Sequence, residues 1–406
     1  MADFGRLRID VVNALGAPVN NAICDISYLG DPENILTEVS TDTNGQSETV
    51  SLPAPDEELS QAPGAVSPYS NYTVTVRAGG FEAVTVNGIN IFPNTKGIQR
   101  IILPSFSNTS TAEIINIGPN VLFGNYPPKI PEAEVKPMNN TGEIVLDSVV
   151  VPETIIVHDG APSDSTATNY YVPFVDYITN VACSEIYPTW PVATITANVI
   201  AIISFTLNRV YTEWYRNKGY NFTITSSTAF DHKWIFERNI FQNVGMIVEE
   251  VFADYVSRPN IKQPILTQYC DGQRVTCRGM SQWGSKYLGD KGYTPVQILR
   301  NYYGEDVYIN TAEQVSGVPA SWPGYTLDIG STGSPVRTIQ EQLATIRETY
   351  SNIPGLEIDG IYGERTASAV SAFQSIFDLP VTGEVDFRTW YKISQLYVAL
   401  ERLAEL

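Results

Sequence analysis

The chain has 406 residues, of which 43% are hydrophobic, and its 44 acidic and 25 basic residues leave a net charge of -19. This length can form two or three domains with separate cores, and the negative charge argues against nucleic acid, whose phosphates it would repel. No apolar run reaches the roughly 20 residues of a membrane span, because the most apolar window, 195–210, is interrupted by Thr, Asn and Ser. We therefore expect a globular protein with no membrane span and no nucleic-acid partner.

The N-terminus and the cysteines indicate the cellular compartment in which the protein folds. Residues 1–6 lack a basic region followed by an apolar one, so no classical signal peptide is expected. Four cysteines in so long a chain are not a disulfide framework, which favours a reducing compartment. For the close pair Cys270 and Cys277, either a reducible bridge or two unbonded thiols is favoured over a metal site. Because the two histidines, His158 and His232, lie far apart in sequence, we predict no metal and no cofactor.

Residues 1–104 show the alternation of apolar and polar side chains that is typical of β-strands separated by turns. The alternation is clearest in the segments 7–12, 22–28, 72–77, 83–86 and 100–103. It predicts a small antiparallel β-sandwich. The stretches "GAPVNNAICDI", "TDTNGQ" and "YTVTVRAGGFEAVTV" resemble carboxypeptidase-regulatory-like sandwiches. Since no catalytic cluster is visible, we expect a folding or docking module.

Residues 105–150 are rich in Asn, Pro, Gly and Ser, with prolines at positions 127, 128, 131 and 137. This composition resists a packed core and predicts an exposed linker, with polyproline II structure in places. Proteolytic nicking concentrates in exposed linkers. A cut between about 138 and 151 is therefore expected.

One carboxylate, Glu185, lies in the turn "CSEIYPTW", directly before a long apolar segment. Pro188 and Pro191 exclude regular helix from the residues before them. We therefore expect Glu185 at the entrance of a buried central helix, with the N-cap near Thr194 or Thr196. Burial would raise the pKa of this carboxyl and let it hold a proton near neutral pH, as a general acid must. The alternative is an ordinary surface glutamate on a loop.

A second dense stretch, "GMSQWG", is bracketed by Gly279 and Gly284, which permit close backbone approach or a positive φ. The loop supplies hydrogen-bonding groups and an aromatic surface, a combination that suits a sugar. The alternative is a turn with a core tryptophan. The candidate substrate-binding residues of this loop and of the helix after it are Ser281, Gln282, Trp283, Tyr302 and Tyr303.

Residues 324–400 carry apolar side chains at helical spacing in three segments, which predicts a separate three-helix unit. The stretches "GSTGSPVRTIQEQL", "IDGIYGERTASAVSAFQ" and "LPVTGEVDFRTW" resemble the peptidoglycan-binding domain common in bacterial cell-wall hydrolases. The resemblance implies a shallow groove that contacts glycan or stem peptide near Asp359, Tyr362 and Gln374.

Residues 151–322 resemble the stage II sporulation protein D family of peptidoglycan lytic transglycosylases. The matching stretches occur in the right order: "YITNVACSEIYPTW", the apolar helix through Arg209, and "CRGMSQWGSKYLGDKGYTPVQILRNYYG". The resemblance places the family's glutamate at Glu185. Cys277 and Arg278 stand where that family has a histidine–glycine pair, so the resemblance does not carry the family's zinc site over to this chain.

The whole order of segments resembles the clostridial spore cortex-lytic enzymes. The implied fold class is multidomain α+β, with an N-terminal antiparallel β-sandwich, a central α+β catalytic domain and a C-terminal three-helix domain. The likeness implies a zymogen of the cortex and coat region of the spore, which a germination-specific protease activates so that it degrades cortex peptidoglycan. The stretch "LDSVVVPETIIVH" resembles the region where the mature chain of these enzymes begins, and the resemblance implies a cut near Ser148 to Val151.

The central segment offers a single well-placed carboxylate, whereas hydrolysis of a glycoside by water uses two. A lytic transglycosylase needs one, because the 6-hydroxyl of N-acetylmuramic acid attacks its own anomeric carbon and leaves a 1,6-anhydro end. Glu185 would protonate the glycosidic oxygen and then accept the hydroxyl proton. Cys183 has no histidine near it in sequence, so we expect it to be buried packing and not a nucleophile.

Two other functions stay open. The chain could be a non-catalytic peptidoglycan-binding scaffold of the spore. It could also be an N-acetylmuramoyl-L-alanine amidase, although such enzymes usually need zinc and its ligands. The products distinguish the three functions, because only a transglycosylase leaves anhydro-muramic ends and an amidase frees N-terminal alanine.

Overall fold

The computed structural model of the chain describes residues 3–107, 112–136 and 146–404. In these residues the chain combines eight α-helices with several β-sheets, which confirms the mixed α and β class expected from the sequence. Residues 137–145, which include much of the predicted cut region, lie outside the described residues.

Strands make up most of the N-terminal third of the chain, and strands and helices are interspersed after it. The N-terminal strands are β1 (Asp3–Asn13), β2 (Ile23–Tyr28), β3 (Ile35–Ser40), β4 (Val50–Ala54), β5 (Ser70–Arg77), β6 (Val84–Ile91), β7 (Lys96–Leu103) and β8 (Glu113–Asn116). The later strands are β9 (Val150–Val151), β10 (Thr154–His158), β11 (Asn169–Pro173), β12 (Ile224–Thr225), β13 (Ile240–Phe241), β14 (Asp254–Ser257), β15 (Tyr269–Cys270), β16 (Met280–Ser281), β17 (Tyr308–Thr311) and β18 (Gln314–Val315). The helices are α1 (Phe174–Glu185), α2 (Val192–Tyr211), α3 (Gln242–Val251), α4 (Gln282–Asp290), α5 (Pro295–Tyr303), α6 (Ser334–Thr349), α7 (Glu364–Ile376) and α8 (Phe387–Ala404).

The N-terminal strands form two sheets around a common core. One sheet has the order β13-β7-β1-β4 and the other β3-β2-β5-β6-β8. Alternate residues such as Leu7, Ile9 and Val11 of β1 are fully buried between them, as a period of two requires. The expectation of purely antiparallel pairing is wrong, because β1 is parallel to β7 and β6 to β8. The long connection from β1 to β7 can make the crossover that parallel strands need.

The central region is built around α2, which packs against α1, α3, α4, α5 and β14. In the described residues α2 is the helix with the length and hydropathy of a membrane span, and 83% of its most apolar window is buried inside the protein. It is apolar on most faces, and most of its residues are buried against the helices around it, as expected for a core helix. A buried helix of this kind holds the elements around it in fixed positions.

The N-terminal sheets and the central region are joined by backbone and side-chain contacts. Strand β13 of the central region adds to the edge of the first sheet by pairing with β7. Asn239 also exchanges hydrogen bonds with the backbone of Asn90 at 2.9 and 3.1 Å. Arg238 donates to the Asn90 side chain, but its Nε and Nη1 atoms are buried with no hydrogen-bond partner among the described residues. The interface therefore contains a guanidinium that is only partly satisfied.

The C-terminal helices α6, α7 and α8 share an apolar core that includes Val336, Leu343, Phe373 and Trp390. This confirms the helical spacing seen in the sequence. Helix α8 packs on α3, where Lys392 donates to Glu249 over 2.6 Å and Phe252 stacks on Phe387.

Asp378, directly after α7, connects three parts of the chain. Its carboxylate accepts a hydrogen bond from Arg8 at 3.0 Å and one from Lys96 at 3.3 Å, both in the N-terminal strands. It also accepts one from Gln242 of the central region at 2.6 Å. The backbone of Asp378 is left-handed, with φ 57°.

We expect Asp378→Asn to lower the free energy of unfolding by about 2 kcal/mol, because the charge-assisted hydrogen bonds of Arg8 and Lys96 are lost. Asparagine adopts left-handed φ readily, so the backbone is preserved. Urea denaturation measures the change, with Asp56→Asn, at an exposed position, as the matched control. Equal midpoints for the two variants would contradict the assigned role of Asp378.

Candidate functional site

Glu185 is the last residue of α1, and Ile186 leaves the helical conformation with φ -129° and ψ 167°. The expectation that Glu185 lies at the entrance of the next helix is therefore wrong. Pro188 restricts only the residue before it, Tyr187, so α1 can continue up to Glu185. Helix α2 begins after Pro191, and neither Thr194 nor Thr196 caps it.

The Glu185 carboxyl group is buried, with 1% of the residue exposed. Its Oε1 atom accepts a 2.6 Å hydrogen bond from the backbone N–H of Lys233. The Gln282 side chain donates to Oε2 at 3.4 Å and to the Glu185 carbonyl at 3.1 Å. Burial raises the pKa of Glu185, although the nearby Lys129 charge and these hydrogen bonds oppose the shift. The alternative of an exposed surface glutamate is excluded for this structure.

The loop around Gln282 depends on Gly279. This residue has φ 101°, and a Cβ atom there would lie 1.9 Å from the carbonyl oxygen of Gln268. Ser281 then caps α4 by accepting a hydrogen bond from Gly284 N at 2.9 Å. At Gly284 a Cβ atom would lie 2.1 Å from the Tyr302 hydroxyl. The prediction that the two glycines allow a positive φ or close approach is confirmed, and the outcome is that Gln282 points at Glu185.

The other candidate sugar-binding residues have packing or capping contacts. Trp283 is buried with its ring centroid 5.0 Å from that of Trp190, which is the alternative of a core tryptophan. Tyr303 is buried and donates to the Gln268 carbonyl at 2.9 Å, and Ser281 is the helix cap. Tyr302 is half-buried beside Gly284. Of the five, Gln282 alone hydrogen-bonds to Glu185 among the described residues, and sugar contact by the set stays a prediction.

Residues 119–136, which we call the strap, run across this site. The expectation of an exposed linker holds only in part here, since Asn120, Leu122, Lys129 and Lys136 are buried. Charged and amide side chains, together with the backbone, supply hydrogen bonds that a composition-based prediction does not count. Ile130 N, for example, donates to the Ala229 carbonyl at 2.7 Å.

The strap begins by capping α1, the helix that carries Glu185. The Asn120 side chain donates to the carbonyls of Cys183 and Ile186, both at 3.2 Å. Val121 N donates to the Ser184 carbonyl at 2.8 Å. The last carbonyls of a helix have no partner within it, so the strap satisfies them on both sides of Glu185.

Lys129 is the strap residue that enters the site. It is buried, its Nζ atom donates to the Asp231 carbonyl, and it lies 4.7 Å from the ring centroid of Tyr269. Burial lowers the pKa of Lys129, while the charges of Glu185 and Asp231 oppose that shift. The remaining cavity beside Glu185 is about 40 Å³. This is space for a few water molecules and is too small for a sugar.

A buried ion-pair network anchors the strap behind Lys129. Glu132 accepts two hydrogen bonds from Arg209 of α2, at 3.0 and 2.6 Å. Arg209 also donates to Asp231 at 2.8 Å. Burial alone would raise the pKa of Glu132, but the hydrogen bonds and charges of Arg209 and Lys136 outweigh it and lower the pKa to about 2.

The sequence analysis did not predict that several other residues belong to this site. Tyr177 and Tyr269 are fully buried, and Tyr177 hydrogen-bonds His232 Nδ1 at 3.0 Å. Burial lowers the pKa of His232 well below its ordinary value, which favours the neutral ring. Neither Asp231 nor Lys129 carries a local pattern that points to Glu185. The one usable signal is the turn "FDHKW", which combines three ionisable side chains between two aromatic ones.

Cys270 and Cys277 form a disulfide bond, which decides between the two alternatives left open by the sequence. Cys183 is buried, burial raises its pKa to about 11, and its sulfur accepts a hydrogen bond from Phe241 N. Both features fit packing and do not fit a nucleophile. In the part of the chain that the structure describes, no three His, Cys, Asp or Glu side chains converge as metal ligands.

The predicted wall-binding residues differ in exposure. Tyr362 and Gln374 are 1% exposed, and they hold the turns of the C-terminal domain: Tyr362 donates to the Gly383 carbonyl at 2.8 Å and Gln374 to that of Glu384 at 2.8 Å. Asp359 is exposed, and its carboxylate accepts from Ile361 N at 2.9 Å. Contact of these three residues with the wall stays a prediction.

Residues 332–393 match a family of peptidoglycan-binding domains, so binding to peptidoglycan is supported for the C-terminal domain. No curated protein matches the chain.

Three solved structures illustrate the structural likenesses. The N-terminal domain of SleB is 25% identical, covers 19% of this chain and 99% of its own, and has a TM-score of 0.17. The Bacillus anthracis TIE protein is 14% identical over 25% of this chain and 17% of its own, with a TM-score of 0.18. The 3-chlorocatechol 1,2-dioxygenase from Rhodococcus opacus 1CP is 14% identical over 26% of this chain and 61% of its own, with a TM-score of 0.20. The match thus spans less than two thirds of the latter two chains, and such TM-scores support no inference about fold or function.

We expect Gly279→Ala to lower the free energy of unfolding by more than about 2 kcal/mol, because the new Cβ meets the Gln268 carbonyl and the residue must keep a positive φ. Gly64→Ala, where a Cβ meets nothing within 4 Å, should change it by less than about 0.5 kcal/mol. Thermal and urea unfolding of both variants measure the difference. A Gly279→Ala variant as stable as the control would contradict the loop geometry.

The Glu132 ion pair predicts a pH dependence. Because the folded state depresses the pKa of Glu132 from 4.5 to about 2, its contribution to stability is present above 4.5 and is lost as pH falls towards 2. Glu132→Gln should therefore lower the free energy of unfolding by about 2 kcal/mol at pH 7. The difference in free energy of unfolding between variant and parent, measured by urea titration, should become smaller below pH 4.5. A gap that is constant from pH 7 to pH 3 would show that the carboxylate charge is not what Arg209 requires.

Proposed function

We propose that the chain is a peptidoglycan lytic transglycosylase that acts on spore cortex, with Glu185 as its single acid and base. The observation that carries the proposal is a buried carboxyl group with a raised pKa, held between the Lys233 backbone and Gln282. A raised pKa favours the protonated form, from which such a group can deliver a proton to a leaving group. The peptidoglycan-binding match at 332–393 supports the substrate class, and the sporulation-protein resemblance of residues 151–322 supports the reaction.

The two oxygens of Glu185 have different surroundings. Oε1 accepts a short 2.6 Å bond from Lys233 N, whereas Oε2 has the longer 3.4 Å contact to Gln282. A backbone donor stabilises the oxygen that carries negative charge. In the proposed reaction Oε2 therefore carries the proton and delivers it to the glycosidic oxygen.

The second half of the reaction needs no second carboxylate. As the glycosidic bond breaks, the muramic 6-hydroxyl attacks the anomeric carbon, and Glu185 takes the hydroxyl proton. The attack is intramolecular, so it gains effective concentration without a bound water. The products are a 1,6-anhydro-muramic end and a free sugar hydroxyl, and the enzyme returns to its protonated state.

In this proposal the intact chain is a zymogen, as in the clostridial spore cortex-lytic enzyme SleC, which the order of segments resembles. The predicted cut region, Ser148 to Val151, includes the buried residues Val149 and Val151, and β9 pairs with β18. A cut just before β9 would break the covalent link between the strap and the central region and leave β9 in place. In the same proposal, a germination-specific protease makes the cut, and the protein acts in the cortex and coat region of the spore.

The two other functions stay testable on the same digest. A scaffold would bind cortex and leave its glycan strands uncut. An amidase needs a metal ligand set, and no group of three candidate ligands is present in the described residues. Anhydro-muramic ends, uncut glycan and free N-terminal alanine are the three distinct outcomes.

We expect Glu185→Gln, in the chain cut near 148–151, to lower the release of anhydro-muropeptides from purified cortex at least about 100-fold, the usual range for loss of a general acid. Glutamine has nearly the same volume, so the fold should persist, which circular dichroism checks. Glu305→Gln, at an exposed position, is the matched control. Mass spectrometry that finds equal anhydro ends from both variants would refute the role of Glu185.

A further inference from the structure

We propose that the Glu185 cleft is a docking surface for the chain's own strap, residues 119–136, and that the strap, not the β-sandwich, keeps the intact chain inactive. The proposal deepens the proposed function, because it assumes that glycan binds beside Glu185. In its simplest form it states that strap and glycan compete for the same space.

The cavity supports this competition for space. Strap residues from Val121 to Lys129 form one wall of the cavity at Glu185, and only about 40 Å³ is left. A disaccharide cannot enter a space that holds only a few water molecules. The strap must therefore leave, or move aside, before any glycan can reach the carboxyl group.

The contacts of the strap are also chemically suited to the cleft. Lys129 brings the one strap cation that lies close enough to Glu185 to affect its pKa, and it satisfies the Asp231 carbonyl. Asn120 and Val121 occupy the carbonyls at the end of α1. These are hydrogen-bond acceptors that glycan hydroxyl and acetamido N–H groups could otherwise use.

A second clamp holds the strap at the rim of the cleft. The Arg274 side chain, on the disulfide-bridged loop between Cys270 and Cys277, donates to the carbonyls of Val121 and Phe123, both at 3.0 Å, and to that of Gly124. The Arg274 side chain is 44% exposed. Its Nε atom also donates to Asp271 at 3.1 Å, so Arg274 ties the strap to the loop that carries it.

The test measures access to Glu185 independently of catalysis. The intact chain is treated with a water-soluble carbodiimide and an amine, and the labelled carboxyl groups are mapped by mass spectrometry. We expect Arg274→Gln and Lys129→Ala each to raise the labelling of Glu185 about tenfold, since each removes hydrogen bonds that hold the strap. Exposed Lys262 provides the control variant Lys262→Ala, and exposed Glu305 serves as an internal reference.

The same variants are then assayed uncut on purified cortex, beside the parent chain cut near 148–151. Increased labelling together with cleavage by the uncut variants supports the proposal. Unchanged labelling in both variants overturns it. Increased labelling with an active cut chain but silent uncut variants also overturns it, because the strap then covers the site without controlling it. If labelling rises and no form cleaves cortex, closure by the strap stands and the transglycosylase function fails.

Discussion

The burial of one carboxyl group at the end of α1 is the constraint on which the central region depends. A carboxylate removed from water is costly unless polar groups surround it. Those groups come from distant parts of the sequence: the backbone of Lys233, the side chain of Gln282 and the charge of Lys129. Each must be positioned by its own element, so the glutamate can be buried only when the whole region is folded.

A second buried network links the strap to the floor of the site. Asp231 accepts hydrogen bonds from Arg209 at 2.8 Å, Tyr215 at 2.6 Å and Thr225 at 2.7 Å, and its backbone carbonyl meets Lys129. Arg209 in turn binds Glu132. The groups that hold the strap are therefore the neighbours of those that hold Glu185, and a change in one is felt by the other. Polar networks of this kind favour one arrangement, because a half-satisfied network is costly.

Much of this arrangement was accessible from the sequence, although in unequal measure. The turn "CSEIYPTW" pointed to Glu185 and the bracketing glycines to a loop that approaches it, because glycine and proline act on the local backbone. Predictions from local sequence patterns were wrong at positions where tertiary contacts decide the structure. The helix runs up to Glu185 because Pro188 restricts only its immediate neighbour, and Trp283 is used as core because Trp190 and Tyr187 lie against it.

The strap shows the same limit more clearly. Its prolines and polar residues predicted exposure, since composition reports how poorly a segment forms its own core. Composition cannot show that another part of the chain supplies hydrogen-bond partners, as Arg209 does for Glu132. The pairing of Cys270 with Cys277 likewise depends on their closeness in space.

The interface between the N-terminal sheets and the rest of the chain affects how fast these parts could dissociate. The contacts of β13 with β7 and of Asp378 with Arg8 and Lys96 are non-covalent, so a cut in the backbone leaves them in place. In the intact chain the two parts belong to one molecule, so their contacts form at a high effective concentration. If the chain is cut as proposed, reassociation would depend on how far the freed piece diffuses, and hydration of the partly unpaired Arg238 would favour separation. Proteolysis would then begin a dissociation whose rate is set by this interface and by dilution.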